Sequence, residues 1–468
     1  MHFNIRLFRA FSFLFISTLL FAFLLWERPI GVTGIYYDNW VVDVTCLYLS
    51  IIILVGTYVK GLLDLMSPLA WVSTIYILLF FVTPLYDIYT GDTSIFGVVD
   101  LFEYGVIGTI MAFGGFSAFV MGFVICDSKK RNVSIVELSS KMKRQIARIM
   151  LHVWLIIFVI AVWIVILDKG YSIVYIFTFG IWGEAPIEDE MSPTFLGFIS
   201  QATRSIIPVC LLYISFSDNR LAKIVLFFLT AMLEIIGGFR YMIIIFIGSY
   251  LILFYLRKRK EIPLLSVLIM IVVFCFLVGL IGYTRDSVRI GVGFNAQGFG
   301  YQDIVDAVIG NFRIYLSYYA VIKAVPDMTP YIYFDQIVIY TLIMAVPRAI
   351  WPSKPLNPGT APQLLGMNEA AVNSGYAYPC LGEYYYGFGV FGIIFFMLLL
   401  GLLFGHISKK YRYNSRTVVD LVIFSIATPM TLQLLIRGYT PSNFYLVLAM
   451  LLPGIILNRY IKKNKMYK

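Results

Sequence analysis

Hydrophobic residues occur along this chain in long runs, separated by shorter segments that hold most of the charged positions. A helix needs roughly 20 apolar residues to cross a hydrocarbon layer ~30 Å thick. The runs are apolar on all sides and lack the alternation of barrel strands, so they predict membrane-spanning helices. The pattern predicts twelve spans, at residues 7–26, 41–59, 67–86, 104–126, 147–167, 194–216, 221–237, 241–256, 263–283, 387–407, 418–437 and 442–460.

The composition supports the same class of protein. Hydrophobic residues make up 60% of the chain and charged residues 13%, whereas a soluble protein has about 25% charged residues. So few charged side chains cannot cover a surface that is exposed to water. The sequence therefore predicts an all-α polytopic membrane protein with about twelve transmembrane helices.

Positive charge is concentrated on one side of the predicted spans. Basic segments follow the fourth, eighth, tenth and twelfth spans, with Lys129, Lys130, Arg131, Lys141, Lys143, Arg144, Arg148, Arg257, Lys258, Arg259, Lys260, Lys409, Lys410, Arg412, Arg416, Lys462, Lys463, Lys465 and Lys468. Loops rich in lysine and arginine stay in the cytoplasm, so both termini are predicted to be cytoplasmic. The net charge of +10 then reflects membrane orientation and gives no support for a nucleic-acid partner.

One predicted outer segment, residues 284–386, is much longer than the others and divides the chain into residues 1–283, 284–386 and 387–468. Long connections without structure are uncommon and usually functional. Apolar positions at helical spacing predict a helix over 302–324, and a ten-residue apolar run predicts a second at 337–346. Both are expected to lie on, or dip into, the outer interface as amphipathic or re-entrant helices. If both cross the membrane instead, the count is fourteen and the orientation is unchanged.

Several kinds of chemistry are unsupported by the sequence. The three histidines, His2, His152 and His406, all map to the predicted cytoplasmic side. This argues against a zinc site or a Ser-His or Cys-His pair on the outer face. No phosphate-binding GxxxxGK[ST] loop and no GxGxxG motif after a strand occurs. We therefore expect no metal and no cofactor.

Several basic residues occur on the outer side, against the general bias: Arg240, Arg285, Arg289, Arg313, Arg348, Lys354 and Arg437. Each one alone is explained as an anchor that reaches the lipid headgroups. Together, around one large loop, they indicate a diphosphate site, because guanidinium groups bind phosphate oxygens in pairs. We assign this role to Arg240, Arg285, Arg313, Arg348 and Arg437, and to Lys354 as a further candidate.

Aromatic residues cluster just before the tenth span, at Tyr376, Tyr378, Tyr384, Tyr385, Tyr386 and Phe388. Such rings commonly form the interfacial belt of a membrane protein. Their flat apolar faces also stack on sugars, and Tyr376, Tyr378, Tyr384 and Tyr385 are our candidates for that role. Glu383 lies within the cluster, either as a catalytic carboxylate or as the ion-pair partner of an arginine.

Four motifs follow one another in the C-terminal half of the chain. They are Gly237-Gly238-Phe239-Arg240, then the Pro-Arg-x-x-Trp-Pro-x-Lys-Pro segment at 347–355, the Gly-Glu-Tyr-Tyr-Tyr-Gly-Phe-Gly-Val-Phe-Gly segment at 382–392, and Arg437-Gly438. In this order, over roughly residues 220–440, the chain resembles the oligosaccharide repeat-unit polymerases of the Wzy type, which make O-antigen or capsule. The N-terminal two hundred residues agree with that family only in hydropathy.

The resemblance implies a GT-C-like glycosyltransferase at the outer face of the bacterial cytoplasmic (inner) membrane. Donor and acceptor would both be polyprenyl (undecaprenyl) diphosphate-linked oligosaccharides, and a chain-length regulator and a flippase are the partners that such a role allows. The reaction needs a group that accepts the proton of a sugar hydroxyl, for which Glu383 is the candidate and Asp286 the reserve. The alternatives are a ligase-like lipid-sugar transferase, which in related enzymes uses an outer-face histidine, and a transporter or flippase for lipid-linked sugars.

The predicted topology can be tested by cysteine labelling with a reagent that does not cross membranes. Cysteines introduced at Asn295 and Asn368 should react in intact cells, because both lie in the predicted outer segment. A cysteine at Asn132 should react only after the cells are opened. Labelling at Asn132 in intact cells would invert the orientation.

Overall fold

The computed structural model describes most of the chain. The described residues are 5–26, 32–95, 99–126, 138–169, 201–236, 240–258, 300–344, 350–354, 361–366 and 378–463, with the single positions 199, 263, 272, 275 and 346.

The N-terminal part contains helices that run back and forth and one small antiparallel hairpin. Its elements are α1 (Ile5–Trp26), α2 (Ile35–Val59), α3 (Pro68–Thr90, with a π-helical turn at Leu78–Val82), the strands β1 (Ser94–Ile95) and β2 (Val99–Asp100), α4 (Gly105–Ile125), α5 (Ser140–Lys169), α6 (Ile206–Phe216), α7 (Arg220–Ile236) and α8 (Arg240–Arg257). In the hairpin, Ser94 pairs with Asp100 and Ile95 with Val99.

The C-terminal part begins with short helices and ends with three long ones. Its elements are α9 (Tyr301–Phe312), α10 (Tyr315–Ala324), a π-helical turn (Asp335–Tyr340) that continues as α11 (Thr341–Ile343), α12 (Ala361–Leu364), α13 (Cys380–Ser408, followed by a π-helical turn at Lys409–Tyr413), α14 (Val418–Ile436) and α15 (Thr440–Lys463).

The helices confirm the predicted class. Within the described residues, eight helices are long and apolar enough to cross a membrane, and two shorter apolar helices occur at Gln201–Phe216 and Tyr241–Arg257. The predicted ninth span, 263–283, lies outside the described residues except for three single positions. The protein is therefore an all-α polytopic membrane protein, and the number of twelve spans stays a prediction.

Helix α14 is the centre of the bundle. Its apolar stretch is 89% buried, whereas that of α1 is only 11% buried. Residues of α14 belong to both hydrophobic clusters of the described chain, for example Phe424 to one and Val422 to the other. One cluster joins α14 to α2, α3, α4, α10 and α13, and the other joins it to α5, α6, α7, α8 and α15. The two halves of the bundle thus share one helix.

Helices α4 and α13 pack closely along lines of glycine. A Cβ atom at Gly401 would lie 2.1 Å from the Phe119 carbonyl oxygen, and one at Gly122 would lie 2.4 Å from the Leu398 carbonyl oxygen. Small residues allow such backbone contact in membranes, where helices associate by packing and not by a hydrophobic driving force. This contact fixes the position of α13, the helix that carries Glu383, relative to α4.

The tenth predicted span is longer than expected. Helix α13 begins at Cys380 instead of residue 387, so Glu383 lies in its first turns and not in a loop. The helix is interrupted at Phe388 and Gly389, and Gly389 has φ of 60°. The carbonyls of Tyr386 and Gly387 accept hydrogen bonds of 3.1 Å from the backbone of Ile332 and Tyr333. The outer segment thus supplies backbone N–H donors to carbonyl groups that lose their helical hydrogen bonds at the interruption.

The predicted helix at 302–324 is divided into two helices, and its position at the outer interface stays a prediction. The helix breaks at residues 313–314, and α10 lies inside the protein, with Tyr315, Tyr318 and Tyr319 almost completely buried. Their hydroxyl groups have internal partners: Tyr315 donates to Asp87 at 2.6 Å, Tyr318 donates to the Gly108 carbonyl at 3.2 Å, and Tyr319 bonds with Thr109 at 3.1 Å. The tyrosines therefore do not need water or lipid headgroups. The shorter predicted helix corresponds to Asp335–Ile343.

The glycine contact predicts the effect of a single methyl group. Gly401→Ala should lower the stability by about 1–3 kcal/mol, because the new Cβ atom meets backbone that must move. Gly56→Ala is the matched control, since a Cβ atom at this helical glycine meets nothing within 4 Å. Thermal unfolding of both variants in detergent measures the difference. Equal stability of the two variants would show that the α4–α13 contact adapts freely.

Candidate functional site

Several helix ends meet where α8, α13 and α15 begin and α14 ends. We call this the outer end, after the orientation that the sequence predicts. Arg204 and Glu234 form an ion pair there, with side chains 9% and 1% exposed. Tyr241 lies beside the pair. The charges of Arg437, Arg204 and Glu234 act on its hydroxyl group, which is also hydrogen-bonded to the Gln433 side chain. The buried carboxylate is thus paired with one arginine while a second lies close to the same tyrosine. We call Arg204, Glu234, Tyr241, Gln433 and Arg437 the outer arginine cluster.

Arg437 is held on a rigid turn. Its amide N–H donates to the Gln433 carbonyl at 3.0 Å, and the Gly438 N–H donates to the Tyr378 carbonyl at 2.8 Å. A Cβ atom at position 438 would lie 2.3 Å from the Pro379 carbonyl oxygen, so only glycine fits. The guanidinium group of Arg437 is partly exposed and makes no hydrogen bond or ion pair with any residue that the structure describes. It is therefore a positioned cation that an anionic group can reach.

Glu383 holds the start of α15. Its carboxylate accepts bonds from the Thr440 backbone N–H at 2.9 and 3.1 Å and from the Thr440 hydroxyl at 2.7 Å. A carboxylate at a helix N-terminus satisfies free N–H groups and interacts favourably with the helix dipole. Glu383 is 1% exposed. The geometry gives it a structural function at the outer end, whatever its function in catalysis.

Polar contacts continue from α14 into α15. The Gln433 side-chain N–H donates to the Asn443 side-chain oxygen at 3.3 Å, and the Asn443 side-chain N–H donates to the Arg437 carbonyl at 2.5 Å. Gln201, just before α6, donates to the Ser442 hydroxyl at 3.1 Å. The outer ends of α6, α14 and α15 are thus joined by side-chain hydrogen bonds.

Arg313 belongs to a different set of contacts. It donates to Asp87 at 3.0 Å, to the Asp92 carboxylate, and to the Asp92 carbonyl at 2.5 Å. Burial alone would lower the pKa of the Arg313 guanidinium, but the hydrogen bond to Asp92 and the two nearby acidic charges raise it. Arg313 therefore stays charged and ties α10 to the end of α3. Its predicted binding of phosphate would compete with two carboxylates.

Lys354 also has internal partners. Its side chain is buried, and its ammonium group donates to the Met344 and Val346 carbonyls at 3.0 and 3.2 Å. These carbonyls follow the end of the short helix α11, where free carbonyl groups favour a cation. In the structure Lys354 closes this helix end, and its predicted contact with phosphate stays a prediction.

The candidate sugar-stacking tyrosines differ in their surroundings. Tyr384 is buried and its ring stacks on Phe396 at a centroid distance of 5.0 Å. Tyr378 is also buried. Tyr385 is partly exposed and donates to the Val325 carbonyl at 3.4 Å. The ring face of Tyr384 is thus already occupied by protein, and Tyr385 is the better placed of the three for a sugar.

Five of the predicted site residues have side chains outside the described part of the structure. Arg285, Asp286, Arg348 and Tyr376 lie in ranges that are not described, and of Arg240 only the backbone is described, as the first residue of α8. Since Arg240 precedes Tyr241, its backbone lies at the same outer end as Arg437. The structure therefore brings two of the predicted arginine positions together and places Arg313 elsewhere.

Comparison with protein families identifies the chain. The model of the family described as O-antigen polysaccharide polymerase Wzy matches residues 7–468. The chain belongs to this family. No curated protein and no solved structure matches it. As a Wzy polymerase of the membrane, the protein polymerises lipid-linked repeat units into O-antigen, and the alternatives of a ligase and a transporter are not retained.

Sequence reasoning missed part of the outer arginine cluster. The sequence does not predict a site role for Arg204 or Gln433, because Arg204 lies near the start of an apolar span and Gln433 is an uncharged residue inside one. Opposite charges at the same predicted outer end of two successive spans, Arg204 and Glu234, were the available signal. Nothing in the sequence marks Gln433.

Replacement of Glu383 separates catalysis from support of the fold in this Wzy polymerase. Glu383→Gln keeps the shape and can still accept the Thr440 bonds, but glutamine is a far poorer base. We expect normal protein levels and cells that display single repeat units without long chains, as judged by electrophoresis of the surface polysaccharide.

Two other outcomes of this substitution have clear meanings. Wild-type chain lengths in the Gln variant would exclude Glu383 as the base. Loss of the protein itself would assign Glu383 to the support of α15 alone. Thr440→Val is a matched control, because it removes the hydroxyl contact to Glu383 and leaves the carboxylate in place.

Proposed function

We propose that this Wzy polymerase transfers a growing glycan from one polyprenyl diphosphate carrier to the next lipid-linked repeat unit at its outer end. The proposal places both termini in the cytoplasm and the reaction at the outer face of the bacterial inner membrane. The charge asymmetry of the sequence supports this orientation. A chain-length regulator and a flippase are proposed as protein partners.

The observation that carries the proposal is the position of Arg437. Its guanidinium group is partly exposed, has no protein partner among the described residues and is fixed by a turn that admits only glycine next to it. The neighbouring Glu234 is already paired with Arg204, so it does not cancel the charge of Arg437. A cation in such a position binds phosphate oxygens with its fork of N–H donors.

The reaction joins two sugars. A hydroxyl oxygen of the new unit forms a bond to the anomeric carbon of the growing chain, while the bond from that carbon to the lipid diphosphate breaks. The diphosphate leaves with the electron pair, and negative charge develops on the oxygen that was bonded to the anomeric carbon. Cations fixed at that place stabilise the charge as it develops, and one well-placed donor typically contributes ~3–4 kcal/mol. We propose Arg437 and Arg240 for this role, with Arg285 and Arg348 from the long outer segment.

The hydroxyl proton must pass to a base. Glu383 is the proposed base and Asp286 the reserve. The bonds from Thr440 hold the Glu383 carboxylate in a fixed orientation at the start of α15. A positioned base of this kind contributes typically ~10²–10⁴ in rate. Because arginines supply the positive charge, we propose that the reaction does not need a metal ion.

Substitution of arginine by lysine tests whether the paired N–H donors of the guanidinium group are needed. Arg437→Lys keeps the charge but loses paired donation, and we expect polymerisation to fall about 10- to 100-fold at unchanged protein level. Arg240→Lys and Arg348→Lys should behave in the same way. Arg416→Lys is the matched control, because Arg416 is exposed at the other end of α14.

The rate is measured with purified protein in liposomes that contain lipid-linked repeat units. If Arg437→Lys, Arg240→Lys and Arg348→Lys are all as active as wild type, these arginines are interfacial anchors and do not bind the diphosphate through paired donors.

A further inference from the structure

Five aromatic side chains meet where the outer segment contacts the interruption of α13. Between centroids, the ring of Tyr333 lies 5.9 Å from that of Phe388 and 6.2 Å from that of Tyr331. The ring of Phe334 lies 4.8 Å from that of Phe388. Tyr331 lies 6.3 Å from Tyr385, and the two side chains are hydrogen-bonded. We call these five residues the aromatic platform.

The outward side of the platform is uncovered. Tyr333 and Phe334 are each 57% exposed. Their contacts with neighbouring rings are edge-on or tilted, so no described ring lies flat on either of them. Tyr384 differs, because its ring is stacked on Phe396. Tyr333 and Phe334 thus offer apolar surface that a ligand can reach without any change in the fold.

Tyr333 has a backbone conformation that tyrosine rarely adopts. Its φ is 44°, and within the described residues it is the only residue other than glycine with a positive φ. This conformation costs free energy for a bulky side chain. A hydrogen bond of 3.1 Å from its N–H to the Gly387 carbonyl holds it there. Such strain is concentrated at sites that bind ligands, whereas a ring that only anchors a protein at the membrane interface can take an ordinary backbone.

Carboxylates border the platform. Asp327 is exposed and acts electrostatically on the Tyr385 hydroxyl group, and Asp335, next to Phe334, is exposed as well. Charged carboxylates are rare against hydrocarbon, so this edge contacts water. A sugar has an apolar ring face and hydroxyl groups that donate to carboxylates. The same carboxylates repel the phosphate of a lipid headgroup, so the chemistry favours a sugar over a lipid.

The platform and the candidate base lie on opposite sides of the first turns of α13. Residues two apart on a helix do not face each other. Glu383 accepts hydrogen bonds from Thr440, whereas Tyr385 donates to the Val325 carbonyl at 3.4 Å. A ligand on the platform is therefore separated from Glu383 by the width of a helix, roughly 10 Å.

We propose that the aromatic platform binds a sugar of the growing glycan, more than one sugar away from the bond that is formed. The inference deepens the proposed function, since it takes the reaction to occur beside Glu383. The growing glycan leads away from its diphosphate, whereas the acceptor unit leads back to a diphosphate of its own, which the carboxylates disfavour. A glycan must pass α13 to reach both places, so the platform selects long donors over short ones.

The dependence of the reaction on donor length tests this inference. Two donors carry the same lipid diphosphate, one with a single sugar and the other with a glycan of two repeat units. Both are blocked at the hydroxyl group that would accept a further unit. The acceptor is a repeat unit joined to its diphosphate by a carbon–phosphorus bond, so that it cannot act as a donor. We expect the wild-type KM to be at least about 10-fold lower for the long donor than for the short one.

Loss of the Tyr333 ring should remove this preference. Tyr333→Gly should raise the KM for the long donor about 10-fold, so that the two donors become alike. Its Tm should be no lower than that of wild type, because glycine adopts a positive φ without strain. Phe334→Ala should weaken the preference in the same direction. Tyr89→Ala is the matched control, because Tyr89 is an exposed tyrosine at the end of α3 and should keep the preference.

The outcomes separate the inference from the proposed function. If wild-type protein joins the units without preferring the long donor, or if Tyr333→Gly keeps the preference, the rings are interfacial anchors and the inference is wrong. Equal changes in KM for both donors together with a lower Tm would also overturn it, since they indicate a structural role. If wild-type protein makes no product from either donor, the proposed function itself fails, and the inference with it.

Discussion

The outer end of the protein depends on the close approach of two backbone segments, the turn at Arg437–Gly438 and the start of α13 at Pro379–Cys380. A single Cβ atom at Gly438 would lie 2.3 Å from a carbonyl oxygen, so the contact exists only with glycine. The same start of α13 carries Glu383, which holds the first turn of α15. One glycine contact thus sets the relative positions of α13, α14 and α15, and with them the position of Arg437.

Further along α13, the glycine contact with α4 extends this constraint into the membrane. Backbone packed against backbone leaves little freedom for α13 to shift along its neighbour. The interruption at Phe388–Gly389 separates the first turns, which bear Glu383, from the long membrane-spanning part. The carbonyls at the interruption bind the backbone of the outer segment, so this segment is attached to the helix that carries the candidate base. The position of Glu383 is therefore mechanically connected to this segment.

Much of the fold could be predicted from the sequence, because hydropathy and charge report directly on membrane crossing. That Arg437 and the Arg240 backbone lie at the same end of the bundle followed from the same reasoning. The partners of Arg313 did not, since Asp87 and Asp92 lie 226 and 221 residues away along the chain and nothing local marks such contacts. Tyr315, Tyr318 and Tyr319 have the composition of an interfacial belt, and only their internal hydrogen bonds show that α10 is buried. Gln433 carries no charge, and only its side-chain bonds to Asn443 and Tyr241 place it in the outer arginine cluster.

The central claim is that the lipid diphosphate binds at the outer arginine cluster. A structure of the protein with a diphosphate-linked repeat unit bound tests it most directly. The account predicts phosphate oxygens within hydrogen-bond distance of the Arg437 guanidinium group, with the sugar extending towards Glu383. A diphosphate bound instead beside Arg313, or at the end of the bundle where α14 begins, with Arg437 untouched, would contradict it.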